Sequence, residues 1–180
     1  HLSVAAGIRS DTLAQWLHSE RIVRAMPNTP ALIGQGISGL FARGAVSQAD
    51  KDRVNALMAC TGAAIWLDDE TQLDAVTALS GSGPAYVFFF LEAMRDAGLA
   101  MGLSAQQAYQ LAIATFSGAS ALAAASDEGP EMLRQRVTSK GGTTHAAITS
   151  MESSGIKPAF EAAMQAARAR AAQMAEEFGR

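Results

Sequence analysis

Hydrophobic and polar positions along the chain follow two rhythms. Up to about residue 70, short apolar runs alternate with amphipathic stretches, which predicts strands and helices in turn. Leu2 to Ala6 reads as a strand running into a turn at Gly7. Ser10 suits the N-cap of a helix carrying Leu13, Trp16 and Leu17 on one side. Arg21 to Met26 is the next strand, stopped by Pro27. The prolines of Pro27-Asn28-Thr29-Pro30 predict a loop with no helix. Gly36 to Arg43 is a further strand. Ser47 opens a helix with Val54, Leu57 and Met58 inward, and Asp50 stands at its third position, where a carboxylate is favourable. Gly62 suits the residue past that helix, and Ala63 to Leu67 is a last strand before the acidic turn Asp68-Asp69-Glu70.

From Thr71 onward the pattern is helical. Leu73, Val76, Thr77 and Leu79 predict a helix ending at Ser80-Gly81-Ser82-Gly83. Pro84 starts the next, which is apolar nearly all round: Tyr86, Val87, Phe88, Phe89, Phe90, Leu91 and Met94. Such a helix runs through a core or a subunit interface. Ser104 to Gln107 is a capping box for a helix reaching about Ala125. Gly129-Pro130 opens a short helix to Val137. After a loop, an apolar pattern from Ala146 predicts a helix to Ser153, and Pro158 starts an alanine-rich one reaching Phe178. The fold class is therefore an α/β remnant over residues 1–70 followed by an all-α region over residues 71–180.

Composition narrows the function classes. The 180 residues are 49% hydrophobic and 17% charged, enough to bury a core. Net charge is −3 with no basic run, which argues against nucleic acid and anionic membrane surfaces. The longest apolar run, Ala85 to Leu91, is too short to span a bilayer. Cys60 is the sole cysteine, and the three histidines lack metal-ligand spacing, so no disulfide framework or metal site is expected. A buried free thiol suits a reducing cytoplasm. Cys60, Trp16, Trp66, Tyr86 and the methionines read as core. The opening in mid-strand, without an initiating methionine, predicts that part of an α/β domain precedes these residues.

The candidate chemistry lies in the loop before Ala146. Thr138 to Thr144 holds four hydroxyls and the pair Gly141-Gly142. Glycine lets backbone approach a ligand closely. The first amides of the following helix have no intrahelical acceptors, so with Ser139, Thr143 and Thr144 they can receive a small anion. The same residues also fit a flexible loop with a threonine N-cap. Gly34-Gln35-Gly36-Ile37-Ser38-Gly39 has dinucleotide-fingerprint spacing in the wrong setting, since a strand is expected after it where a helix is needed.

Three segments together resemble pyrroline-5-carboxylate reductase: Arg24 to Pro30, Leu73 to Tyr86, and Val137 to Thr144. The resemblance implies a Rossmann-like domain binding NADPH, or less often NADH, and a helical domain that interleaves with a second subunit. Homodimers of that family assemble further, commonly into decamers, with the active site drawing on helical-domain residues of either subunit. It implies reduction of a cyclic imine to L-proline in the cytoplasm. Ser139, Gly142, Thr143 and Thr144 would cradle the substrate carboxylate, and Thr144 would hydrogen-bond the ring nitrogen. Ala5, Ala6 and Gly7 would approach the nicotinamide ribose, and Asn28 its carboxamide or only its own loop. Glu70 matches a position near substrate, or is a solvated acidic residue. Lys140 stands where the family usually has proline. Two competing readings are a non-catalytic helical dimerisation module and an enzyme like the 3-hydroxyacid dehydrogenases, which rely on a helical-domain lysine.

Overall fold

The computed structural model describes residues 1–178. Four strands form one mixed sheet in sequence order: β1 (Leu2–Ser3), β2 (Val23–Met26), β3 (Gly36–Ala42) and β4 (Gly62–Trp66). β1 and β2 are parallel, joined through α1 (Ser10–Leu17), and β3 and β4 are parallel, joined through α2 (Gln48–Met58). β2 and β3 are antiparallel, with Ala25 opposite Leu40. Between them the chain makes a 3-10 turn over Thr29–Ile33 in place of the expected open loop. Pro30 is tolerated because it falls in the first turn, where no amide bond is lost.

Alternation in β2 decides the packing. Val23 and Ala25 meet Leu40 of β3 and Val54 and Met58 of α2 in the main core cluster, with Trp66 packed at its margin. Leu13 and Ala14 of α1 enclose Ile22 in a second cluster. Trp16 and Leu17 are exposed, contrary to the sequence expectation; α1 is two turns long and has only Ile8 and Ile22 to cover. Leu57 and Cys60 are likewise exposed, Cys60 lying in the turn that ends α2.

Ser47 and Asp50 form the reciprocal capping box of α2. Gly62 does not follow the helix as its cap. It opens β4 at φ 131°, where a Cβ would fall 2.0 Å from the Gly36 carbonyl oxygen, so glycine lets two backbones meet. After β4 comes α3 (Gln72–Val76), which widens into a π-turn over Thr77–Gly81 closed by Ser82 N–H donating to the Thr77 carbonyl at 2.8 Å.

The helices beyond are α4 (Gly83–Ala100), α5 (Ala105–Ala124), α6 (Pro130–Arg136), α7 (Thr143–Ser153) and α8 (Ile156–Phe178). By contacts the chain divides into one unit of residues 1–85 and 162–180 and another of residues 86–161. In the second unit α4 and α5 pack closely where Gly98 faces Ala108; a Cβ on Gly98 would lie 2.6 Å from that of Ala108. Ser104 and Gln107 cap α5 reciprocally, as expected. Tyr86 and Phe90 set their rings edge-on to Phe160, centroids 5.5 and 5.6 Å apart. Most large apolar residues of this unit are exposed, including Phe88, Phe89, Met101, Met132 and Met151, so the methionines there are not core. Among the described residues, no helix is long and apolar enough to cross a membrane and no cluster could hold a metal ion.

Candidate active site

Two groups of candidate residues lie in different units, and each has its own geometry. The hydroxyl-rich loop belongs to the unit of residues 86–161. Gly142 N–H donates to the Ser139 carbonyl at 3.0 Å, closing a tight turn over Ser139-Lys140-Gly141-Gly142. Gly141 takes φ 75° at its third position, a conformation that suits glycine. Lys140 occupies the second position, where proline is favoured in such a turn, so the departure noted above leaves the turn intact.

The helix after the turn starts at Thr143, three residues before the apolar pattern. Gly142, not a threonine, is its N-cap, and no side chain caps it. The first intrahelical bond runs from Ala146 N–H to the Gly142 carbonyl at 3.1 Å. The amides of Thr143, Thr144 and His145 therefore point out of the helix end without a protein acceptor among the described residues, and no acid stands in the first turn to neutralise them. Thr138 is committed elsewhere, its hydroxyl donating to the Arg134 carbonyl at 2.6 Å. Ser139 and Thr143 are exposed and Thr144 half-buried. Gly142 leaves room for Ser139, whose Oγ lies 2.6 Å from where a Cβ would stand. Three uncommitted amides beside three hydroxyls can receive a carboxylate at the positive end of an 11-residue helix. Arg136, before the loop, is paired with Glu128.

The second group sits at one edge of the sheet. β1 and β2 are parallel neighbours, so Ala5-Ala6-Gly7 after the first and Asn28 after the second share the carboxyl edge, where open α/β sheets bind ligands. Gly7 has φ 74° and packs against Met174 and Phe178 of α8. Asn28 Oδ1 accepts Ile37 N–H at 3.0 Å, a tie to β3 where an Asx-turn within its own loop was an expectation; its amide nitrogen is left for another partner. The Gly34-x-Gly36-x-x-Gly39 spacing spans the end of the 3-10 turn and β3, with no helix to follow, and cradles no pyrophosphate.

Glu70 is no solvated acid. Its Oε1 accepts Ser10 N–H at 2.6 Å and Arg24 Nη1 at 2.7 Å, and its Oε2 accepts the Ser10 hydroxyl at 2.7 Å. Ser10 is thus the first residue of α1, capped from 60 positions away, and not the N-cap itself. Beside it Arg9 pairs with Asp74 at 3.0 Å. Sequence reasoning missed Arg24 and Ser10. A charged residue inside the apolar run Ile22 to Met26 was the available signal, because a buried arginine needs a partner.

Residues 70–174 match the family model for the pyrroline-5-carboxylate reductase dimerisation region. Pyrroline-5-carboxylate reductase of Pseudomonas aeruginosa is 49% identical over 179 residues, covering 99% of this chain and 66% of the relative. A solved pyrroline-5-carboxylate reductase from Coxiella burnetii superposes with a TM-score of 0.92 at 40% identity, over 96% of this chain and 64% of that one. The Plasmodium falciparum pyrroline carboxylate reductase, solved with NADP bound, gives 0.89 at 32% identity, over 97% and 70%. The chain spans just under two thirds of the length of curated relatives it matches, those of Pseudomonas aeruginosa, Pisum sativum and Haemophilus influenzae among them. With a family model over more than half of its residues and the same fold in both units' elements, this chain belongs to the pyrroline-5-carboxylate reductase family.

Proposed function

We propose that this chain serves the NADPH-dependent (or NADH-dependent) reduction of 1-pyrroline-5-carboxylate to L-proline, in the cytoplasm. The observation that carries the reading is the uncapped α7 N-terminus, with the Thr143, Thr144 and His145 amides and three hydroxyls gathered around it. That set matches a substrate with one carboxylate and one imine nitrogen. Ser139 and the amides of Thr143 and Thr144 grip the carboxylate, each donor contributing roughly 1.5–3 kcal/mol once water is excluded. Gly142, its own N–H spent on the Ser139 carbonyl, lines the cradle without a side chain in the way. The Thr144 hydroxyl, one residue further into the helix, bonds the ring nitrogen and holds the C=N face in a reactive orientation.

The residues at the sheet edge fit the nicotinamide end of the cofactor. Ala5, Ala6 and Gly7 are small enough to be approached, and the Asn28 amide nitrogen is a free donor for the carboxamide. When bound, the cofactor supplies the hydride; the protein supplies position and charge. The matched dimerisation region and the exposed apolar helices support a homodimer, with residues 1–70 as the cofactor part and 71–180 as the dimerisation and substrate part. A decamer would be the larger assembly of such dimers.

The test is steady-state imine reduction by the longest chain that carries these residues, followed by loss of NADPH absorbance. Thr144→Ala lowers kcat/KM at least about tenfold, equal to roughly 1.4 kcal/mol. An unchanged value removes Thr144 from the site.

A further inference from the structure

The Ala5–Gly7 turn gives Ala5 N–H to the Ser3 hydroxyl at 3.3 Å and packs Gly7 against Met174 and Phe178, and its exit is held by what anchors the residues after it. That anchor is Glu70. Arg9, the N-cap residue of α1, gives no side-chain cap, and no other acceptor for Ser10 N–H appears among the described residues. The carboxylate reaches in from the turn before α3 and takes both the amide and the hydroxyl of Ser10. Arg24, in the middle of β2 and 7% exposed, donates to the same Oε1 and balances the charge. Ser10 itself is 2% exposed, so water cannot replace the lost acceptor. A negative group at this position also complements the positive end of α1. The Arg9–Asp74 pair ties the preceding residue to α3.

We infer that Glu70 is a positioning residue: it clamps the start of α1 to β2 and so fixes the Ala5–Gly7 turn against which the cofactor is proposed to lie, and it does not touch the substrate. Oε1 takes two protein donors and Oε2 takes the Ser10 hydroxyl, so each carboxylate oxygen is already turned to α1 or β2. The cofactor half of this inference rests on the proposed reductase activity; the clamp does not.

The experiment separates the two. Hydrogen exchange on this chain reads the clamp without any turnover. Glu70→Gln keeps the size but removes the negative charge that balances Arg24 and forces the Ser10 hydroxyl from donor to acceptor. Exchange of the Ser10 to Leu13 amides should rise at least about tenfold, since a charge-assisted bond is worth at least that factor, while the amides after Ala146 in α7 stay unchanged. Ser10→Ala, a milder change, should raise it less. If Glu70→Gln fails to fold, a smaller rise at the same amides in Ser10→Ala supports the clamp, and unchanged exchange in every variant that folds overturns it. In the active enzyme, Glu70→Gln should raise KM for NADPH several-fold and leave KM for the imine unmoved. The reverse split makes Glu70 a substrate contact and ends the positioning role. Loss of the Thr144 effect with the exchange result intact would sink the reductase reading alone.

Discussion

The two compact units spend their apolar residues differently. In the unit of residues 1–85 and 162–180, Ile22 and Leu40 are 0% exposed, and the buried arginine of β2 has its acid. In the unit of residues 86–161, α4 carries the longest apolar run of the sequence. Yet Leu91 and Gly98 are its only buried residues, and Phe88 and Phe89 are 57% and 66% exposed. The longest apolar run therefore lies in the unit that buries least within one chain. The lesson is that a helix apolar on all sides is specified for more surface than its own chain supplies. A contiguous face of that kind marks an interaction surface.

The contrast can be broken by matched truncations. Leu40→Ala should cost about 2–5 kcal/mol of unfolding free energy, as deletion from a closed core does. Phe88→Ala removes a larger side chain, yet should cost under about 1 kcal/mol when the chain is dilute, because that ring gives up little burial within one chain. Denaturant unfolding of both variants decides it, and equal costs would mean the helical unit is as closed as the sheet.

A smaller effect sharpens the view of the sheet-bearing unit. Arg21 donates to Asp50 at 2.7 Å, and the Ser47 hydroxyl joins it, holding the Asp50 carboxyl down at about 2, well below the usual ~3.9 of an aspartate. A carboxyl with a lowered folded-state value stabilises the fold above its unfolded value. That contribution fades as pH falls from about 4 to about 2. Asp50→Asn should therefore be less stable than the parent at neutral pH, with the gap closing over that acid window. Because the pair is exposed, the gap is small and shrinks in salt. Thermal melts at three pH values and two salt concentrations measure it.

Much of this organisation was legible in the chain. The short runs that became β2 and β3, the Ser47 and Ser104 caps, and the change to helices alone after about residue 71 are local signals that the fold obeys. Ser139 to Thr144 announced uncommitted amides through its glycines and hydroxyls. What stayed hidden depends on partners distant in sequence. Glu70, Ser10 and Arg24 are up to 60 residues apart, so the role of the acid in the turn could not be read locally. Trp16 and Leu17 look like core by periodicity, but a two-turn helix covers too little to bury them. Gly62 resembled a helix end because a glycine after a helix usually is one; only the pairing of β3 and β4 shows that it makes room for Gly36.

In the proposed homodimer a second copy of the chain covers the exposed apolar residues of α4, Phe88 and Phe89, and of α5, Tyr109, Leu111 and Ile113. Sedimentation equilibrium tests it most directly. The account predicts a dimeric mass at micromolar concentration, converted to the monomer by Phe89→Asp with helical content kept. A monomer at every concentration, or a dimer indifferent to Phe89→Asp and to Phe88→Asp alike, would contradict it.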